Sequence, residues 1–264
     1  MHYLPDNFMI THSRTFHLEI RFYISLLLTF SLLFSSGCSP GEKKERFSFK
    51  ESLNGVELYE DGKPVFYYQR EPKLLSGQYI CNNYIHPLYS LGGDTLTDES
   101  PADRPYHRGI YWAWRQIYIN DWSIADGWIM ENISQEVTGL KAESTKSTAQ
   151  LTADVLWKST GFQNGAPFVN ERAIISLQRK QKGLRIIDFE IRLRALISGV
   201  SIGGSDDEKG YGGFCARIKL PDDMIFTSER GSVVPQNLQV EAGPWMDFPG
   251  SFGKDGIKSG LTII

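Results

Sequence analysis

Two stretches of strict alternation constrain this chain more than anything else in it. Leu151, Ala153, Val155 and Trp157 interleave with Thr152, Asp154 and Leu156, and Ile187, Phe189, Ile191 and Leu193 interleave with Asp188, Glu190, Arg192 and Arg194. A period of two is what a strand with one buried and one wet face requires, because successive side chains point to opposite sides of the pleat. Residues 168–177 lie between these runs and read as a third strand, turned back by Arg179-Lys180-Gln181-Lys182-Gly183. The three predict an antiparallel meander whose outward acids and bases pair across neighbours.

The same logic extends over the rest. Phe47-Ser48-Phe49 and Val56-Glu57-Leu58 are short alternating segments, and Asp61-Gly62 between Leu58 and Val65 is a hairpin signal. Single strands are predicted over residues 79–85 and 110–119, the second with Tyr111, Ala113 and Arg115 on one face and Trp112, Trp114 and Gln116 on the other. Residues 120–132 read as a loop and 134–148 as an exposed strand. Further strands fall at 214–220, 224–227, 233–240 and from Leu261, with a corner at 243–250. No three-turn helix and no internal repeat is evident beyond the leader. Many short strands predict an all-β antiparallel β-sandwich, one domain over residues 47–264, of the large mutarotase-like kind.

The chain has 264 residues and a formal net charge of -3. That balance excludes a nucleic-acid partner resting on a basic surface. Arg14, His17 and Arg21 precede an apolar run over residues 22–34, followed by Ser35-Ser36-Gly37-Cys38. The run is short for a membrane span and has the flanks of a secretory signal; Met9 is the expected initiator. Small residues before Cys38 match a bacterial lipobox, which predicts lipidation of Cys38, a membrane anchor and a place in the cell envelope. Residues 38–46 then form a polar tether. Cys81 and Cys215 are left either to pair or to remain buried thiols, and unpaired thiols are the expectation.

Residues 86–114 gather the chemistry. They hold His86 and His107, Asp98, Asp103, Arg104 and Arg108, with Trp112 and Trp114 at the exit. Imidazole titrates near neutral pH, so His86 and His107 are candidates for acid/base work, oriented by Asp98 or Asp103, with Arg108 on an oxyanion or hydroxyl. The competing reading is a salt-bridged loop plug. No His-x-x-x-His or His-x-Asp spacing supports a metal, no Gly-x-Ser-x-Gly a nucleophile, and residues 210–213 lack the context of a phosphate loop. Indole faces stack on sugar rings while acids and arginines bond hydroxyls. Trp112, Trp114, Trp122, Trp128 and Trp245, with Glu171, Lys209, Arg217 and Asp247, therefore predict a carbohydrate-sized cleft.

Several of these segments carry a resemblance. His86-Pro87-Leu88-Tyr89, Leu96-Thr97-Asp98, Pro105-Tyr106-His107-Arg108-Gly109, Trp112-Ala113-Trp114, Gly212-Gly213-Phe214 and Pro244-Trp245-Met246-Asp247 resemble the bacterial exported proteins labelled the "PmoA family". The likeness runs from about Leu75 onward and implies an all-β protein of polysaccharide-degrading bacteria. Members continue past Ile264, so it also implies a C-terminally truncated chain. Methane oxidation, which the label names, is rejected because no apolar run of roughly 20 residues follows Phe34. The expectation is thus an exported lipoprotein acting on or binding a carbohydrate derivative, cofactor unknown. Its alternatives are a non-catalytic glycan-binding protein and a structural envelope protein.

Overall fold

The structure is a computed structural model that describes residues 47–264. The leader, Cys38 and the tether lie outside the described residues. The first strands are β1 (Phe47–Glu51), β2 (Gly55–Glu60), β3 (Lys63–Gln69), β4 (Lys73–Leu75), β5 (Tyr79–Cys81) and β6 (Tyr84–Leu88). They are followed by β7 (Ile110–Trp114), β8 (Gln116–Ile119), β9 (Trp122–Ala125), β10 (Ser134–Ser144), β11 (Thr148–Lys158), β12 (Pro167–Gln178) and β13 (Ile187–Ala195). The last are β14 (Val200–Gly203), β15 (Gly212–Ala216), β16 (Thr227–Ser228), β17 (Gly231–Ser232), β18 (Met246–Gly250) and β19 (Ser259–Ile263). No helix occurs among the described residues.

A six-stranded sheet ordered β1-β2-β3-β6-β7-β15 faces a four-stranded sheet ordered β10-β11-β12-β13, all neighbours antiparallel. The predicted meander is β11-β12-β13, joined at its edge by β10. Leu151, Ala153, Val155 and Trp157 turn inward and are buried with Ala173 and Ile175 of β12. Val56, Leu58, Phe66, Ile85, Ile110 and Trp112 meet them from the other sheet. Each of the buried Val, Leu, Ile and Phe side chains stabilises the fold by about 1.5–3 kcal/mol, so the antiparallel β-sandwich follows directly from the alternation. The Asp61-Gly62 turn closes the β2–β3 hairpin with φ of 53° and 75°, left-handed at both positions as a tight two-residue turn demands.

Several expectations need correction. No strand forms over 233–240, the one expected over 224–227 is reduced to β16 at its end, and the corner expected over 243–250 contains β18. The strand expected over 110–119 breaks at Arg115. β7 pairs with β15, whereas β8 joins β14 and β9 in a separate three-stranded sheet. Trp114 O accepts Gly127 N–H at 2.9 Å there, ending the first ladder. The strand expected over 79–85 divides into β5 and β6 at Asn83, whose φ is 56°. The loop expected over 120–132 contains β9, turned back on β8 at Asn120.

β7 also explains the two bulky faces seen in its sequence. Ile110 and Trp112 enter the main core, while Tyr111 and Ala113 pack on the outer side with Leu75, Cys81, Tyr84 and Trp128. That second, smaller cluster carries the functional candidates. A four-stranded sheet ordered β17-β16-β18-β19 is built from the C-terminal third of the chain.

Candidate functional site

The stretch over 86–114 is held by backbone hydrogen bonds rather than left as an open loop. Leu96 O accepts from Lys219 N at 2.9 Å, Asp98 N donates to Arg217 O at 2.9 Å, and Asp98 O accepts Gly109 N–H at 2.8 Å. Ser100 N donates to His107 O at 2.8 Å and closes the tip, with Ser100 Oγ on Pro105 O at 2.9 Å. Gly109 lets this stretch approach β6, since a Cβ there would stand 2.0 Å from Ile85 O at a φ of 56°.

His86 and His107 sit in different surroundings. His86 Nδ1 lies 3.0 Å from Thr97 Oγ1, which also accepts Leu88 N–H at 3.0 Å, and burial lowers the imidazole pKa. His107 lies among rings: Tyr106 at 5.0 Å, Trp128 at 5.8 Å and Tyr111 at 6.2 Å between centroids. Burial, then the Arg217 charge, push its pKa down to about 4, with Arg104 and Arg108 adding to the effect and Asp103 opposing it. Tyr79 on Tyr106 at 5.6 Å and Tyr211 stacked on Trp128 at 5.2 Å extend the aromatic group, and Lys209 Nζ lies 5.7 Å from the Tyr211 ring. No hydrogen bond joins the two imidazoles.

Neither aspartate expected to orient an imidazole is hydrogen-bonded to one. Asp98 Oδ1 accepts Glu99 N–H at 2.9 Å, and Asp103 Oδ1 accepts from Arg217 Nη2 at 2.8 Å. Arg108 is not an open ligand contact either. It is 1% exposed, lies 4.4 Å over the Tyr111 ring, and braces the carbonyls of Tyr106 and Trp128 at 3.2 and 3.3 Å.

Glu171 and Trp112 belong to the core, not to a cleft wall. Glu171 is fully buried and accepts from Asn83 Nδ2 at 2.8 Å, Trp112 Nε1 at 2.7 Å and Trp157 Nε1 at 2.7 Å. Burial raises its pKa, and the three donors oppose that rise. Tyr68 OH donates to Asn83 Oδ1 at 2.8 Å, so the network ties the two sheets together. Trp114 is half-buried, 6.1 Å from Trp157. Trp245 and Asp247 lie at and in β18, where Asp247 Oδ1 accepts from Thr262 Oγ1 at 2.7 Å. The structure therefore gathers His107, Arg108, Arg217 and Lys209, and leaves His86, Glu171 and Trp112 elsewhere. Cys81 and Cys215 are both free thiols beside Tyr84 and Tyr111; burial pushes both up, Cys215 to about 12.

A pocket that the sequence did not reveal adjoins the aromatic group. It encloses about 390 Å³ and is lined by side chains from β8, β9 and two turns, among them Arg115, Gln116, Asp126, Glu131, Asn132 and Asp207. Arg115 Nε donates to Asp126 Oδ2 at 2.9 Å. Asp126 Oδ1 caps the turn that carries Trp128, accepting Trp128 N–H at 2.8 Å, and Ser205 Oγ accepts Tyr211 N–H at 2.8 Å. The turns that line the pocket thus also set the stacked Trp128–Tyr211 pair. The Ser205 hydroxyl, with the N–H groups of Lys209 and Gly210, holds Asp207 below the usual carboxylate range. Among the described residues no group of three or more His, Cys, Asp or Glu is arranged to hold a metal ion.

Fold and site define an all-β antiparallel sandwich with a polar pocket and an adjoining aromatic, arginine-bearing face. The chain belongs to the family of unknown function DUF6807, whose sequence model matches residues 55–264. No curated protein and no solved structure matches it.

Proposed function

We propose that this chain binds a carbohydrate derivative, with the pocket beside β8 and β9 reading the hydroxyl groups. The observation that supports this is the pocket's lining: Gln116, Asp126, Glu131, Asn132 and Asp207 supply acceptors, while Arg115, Gln116 and Asn132 supply donors, around about 390 Å³. Polyhydroxylated ligands demand both, and the volume falls in the range of small-molecule sites. Trp122, 78% exposed at the start of β9, is not among the residues that line the pocket. Binding rather than turnover is the reading, because neither Asp98 nor Asp103 is hydrogen-bonded to an imidazole. The sequence leader supports a place in the cell envelope with a lipid on Cys38, and the resemblance to the "PmoA family" supports a role in polysaccharide use.

Calorimetric titration of the full chain against neutral and uronic-acid oligosaccharides tests this. Glu131→Ala and Gln116→Ala are each expected to weaken binding about tenfold, the worth of one good polar contact. Absence of binding across the panel overturns the proposal, as does an affinity indifferent to both substitutions.

A further inference from the structure

We infer that a second copy of this chain docks on the free edge of β13, antiparallel to it, across a two-fold axis at Ile191. β13 pairs with β12 on one side, and no described strand pairs with its other edge. It runs for nine residues without proline, glycine or a shift in register. The opposite edge strand of the same sheet, β10, is interrupted by a bulge between Val137 and Gly139. A long straight edge is a template for another strand, and a bulged one is not.

One hydrogen bond sets the phase of that edge. Leu196 N donates to Phe168 O at 2.9 Å, one step beyond the Val169–Ala195 pair. Backbone groups of Asp188, Glu190, Arg192 and Arg194 therefore point at β12, and those of Ile187, Phe189, Ile191, Leu193 and Ala195 point outward. No hydrogen bond from another described loop reaches these outward groups.

The side chains then select the partner. Along the wet face the order is Ile186, Asp188, Glu190, Arg192, Arg194, Leu196: apolar ends, two acids, two bases. Turned antiparallel about Ile191, a copy sets Asp188 opposite Arg194, Glu190 opposite Arg192 and Ile186 opposite Leu196. These are the non-hydrogen-bonded positions, where facing side chains lie closest. A slip of two residues sets Arg192 on Arg192 or Glu190 on Glu190, and a parallel copy sets every charge on its like. The existing Arg192–Glu190 pair is exposed, at 63% and 54%, and exchanges partners at little cost. Ile186 and Leu196, 48% and 39% exposed, become covered by each other. On the inner face Ile187, Phe189, Ile191 and Leu193 are only half-buried, unlike their counterparts in β11 and β12, and the doubled sheet covers that row too.

Sedimentation equilibrium on the full chain tests the dimer. The double variants R192E/R194E and D188R/E190R, four like charges in a row each, are expected to raise the dissociation constant about tenfold or more. Mixing the two variants is expected to restore association, because every facing pair is again of opposite sign. A wild-type chain that stays monomeric through the micromolar range overturns the inference. So does a charge-reversed variant that self-associates as well as the wild type, or a mixture that does not associate.

Discussion

Glu171 shows how one side chain can decide whether the two sheets stay registered. Its carboxyl oxygens take N–H bonds from Asn83, Trp112 and Trp157, all within 2.8 Å. Glu171→Gln turns one oxygen into an NH₂ group facing a donor, which is expected to cost about 1–3 kcal/mol in urea denaturation, and Glu171→Ala more. Because burial raises the Glu171 pKa, the folded state holds this proton to higher pH than the unfolded chain. Its contribution is greatest below the unfolded carboxyl value and falls as pH rises past it; the Gln variant is expected to lack that component. His107 has the opposite sign. With a folded pKa of about 4 against 6.5, its contribution is complete above 6.5 and is lost as pH falls toward 4. Stability measured across that window is expected to fall less steeply in His107→Asn than in the wild type; an equal slope would show that His107 is neutralised equally in the unfolded chain.

Between elements, the tie that most resembles a rivet joins the end of β2 to the turn between β12 and β13. Arg185 Nε and Nη2 donate to Glu60 Oε2 at 3.2 and 3.1 Å, Arg185 Nη1 to Tyr89 O at 3.2 Å, and Lys180 N to Glu60 Oε1 at 3.1 Å. The Glu60 side chain is fully buried and that of Arg185 nearly so. Arg185→Ala is expected to destabilise the fold by about 3–5 kcal/mol, since it removes the guanidinium charge from a fully buried carboxylate, while Glu60→Leu with Arg185→Met is expected to recover much of that loss by thermal denaturation. Neither partner is recognisable in the sequence, because the pair is 125 residues apart. The meander and the Asp61-Gly62 hairpin were legible, since period and turn chemistry are local properties. Glu171 was legible in part: it occupies the inward phase with Val169, Ala173 and Ile175, an acid in an apolar register, which marks a core polar group rather than a cleft wall. Trp112 and Trp114 were expected on a strand and assigned to the wall of a cleft, but β7 is sandwiched between two clusters and turns Trp112 into the core. The pocket is built from turns distant in sequence, at Asp126–Glu131 and at Ser205–Asp207, and no short pattern announces it.

Over the whole molecule, burial is unevenly distributed, and local stability should follow it. Inward residues of β11 and β12 are at most 3% exposed, with Val155, Phe168, Ala173 and Ile175 at zero. In β16 to β19 only Ser228 and Gly250 are buried, and Leu261 is the strand residue there that packs against the main core. Opening this last sheet exposes little apolar surface, whereas opening β11–β12 exposes the centre of the sandwich and breaks the Glu171 network with it. Native-state hydrogen exchange is therefore expected to give β11 and β12 amides the protection of global unfolding, with strong denaturant dependence. The β18 and β19 amides are expected to exchange faster and with weak denaturant dependence, the mark of local opening. If both sets converge on one exchange free energy and one denaturant slope, the C-terminal sheet unfolds only with the sandwich, and its stability rests on contacts that side-chain burial does not register.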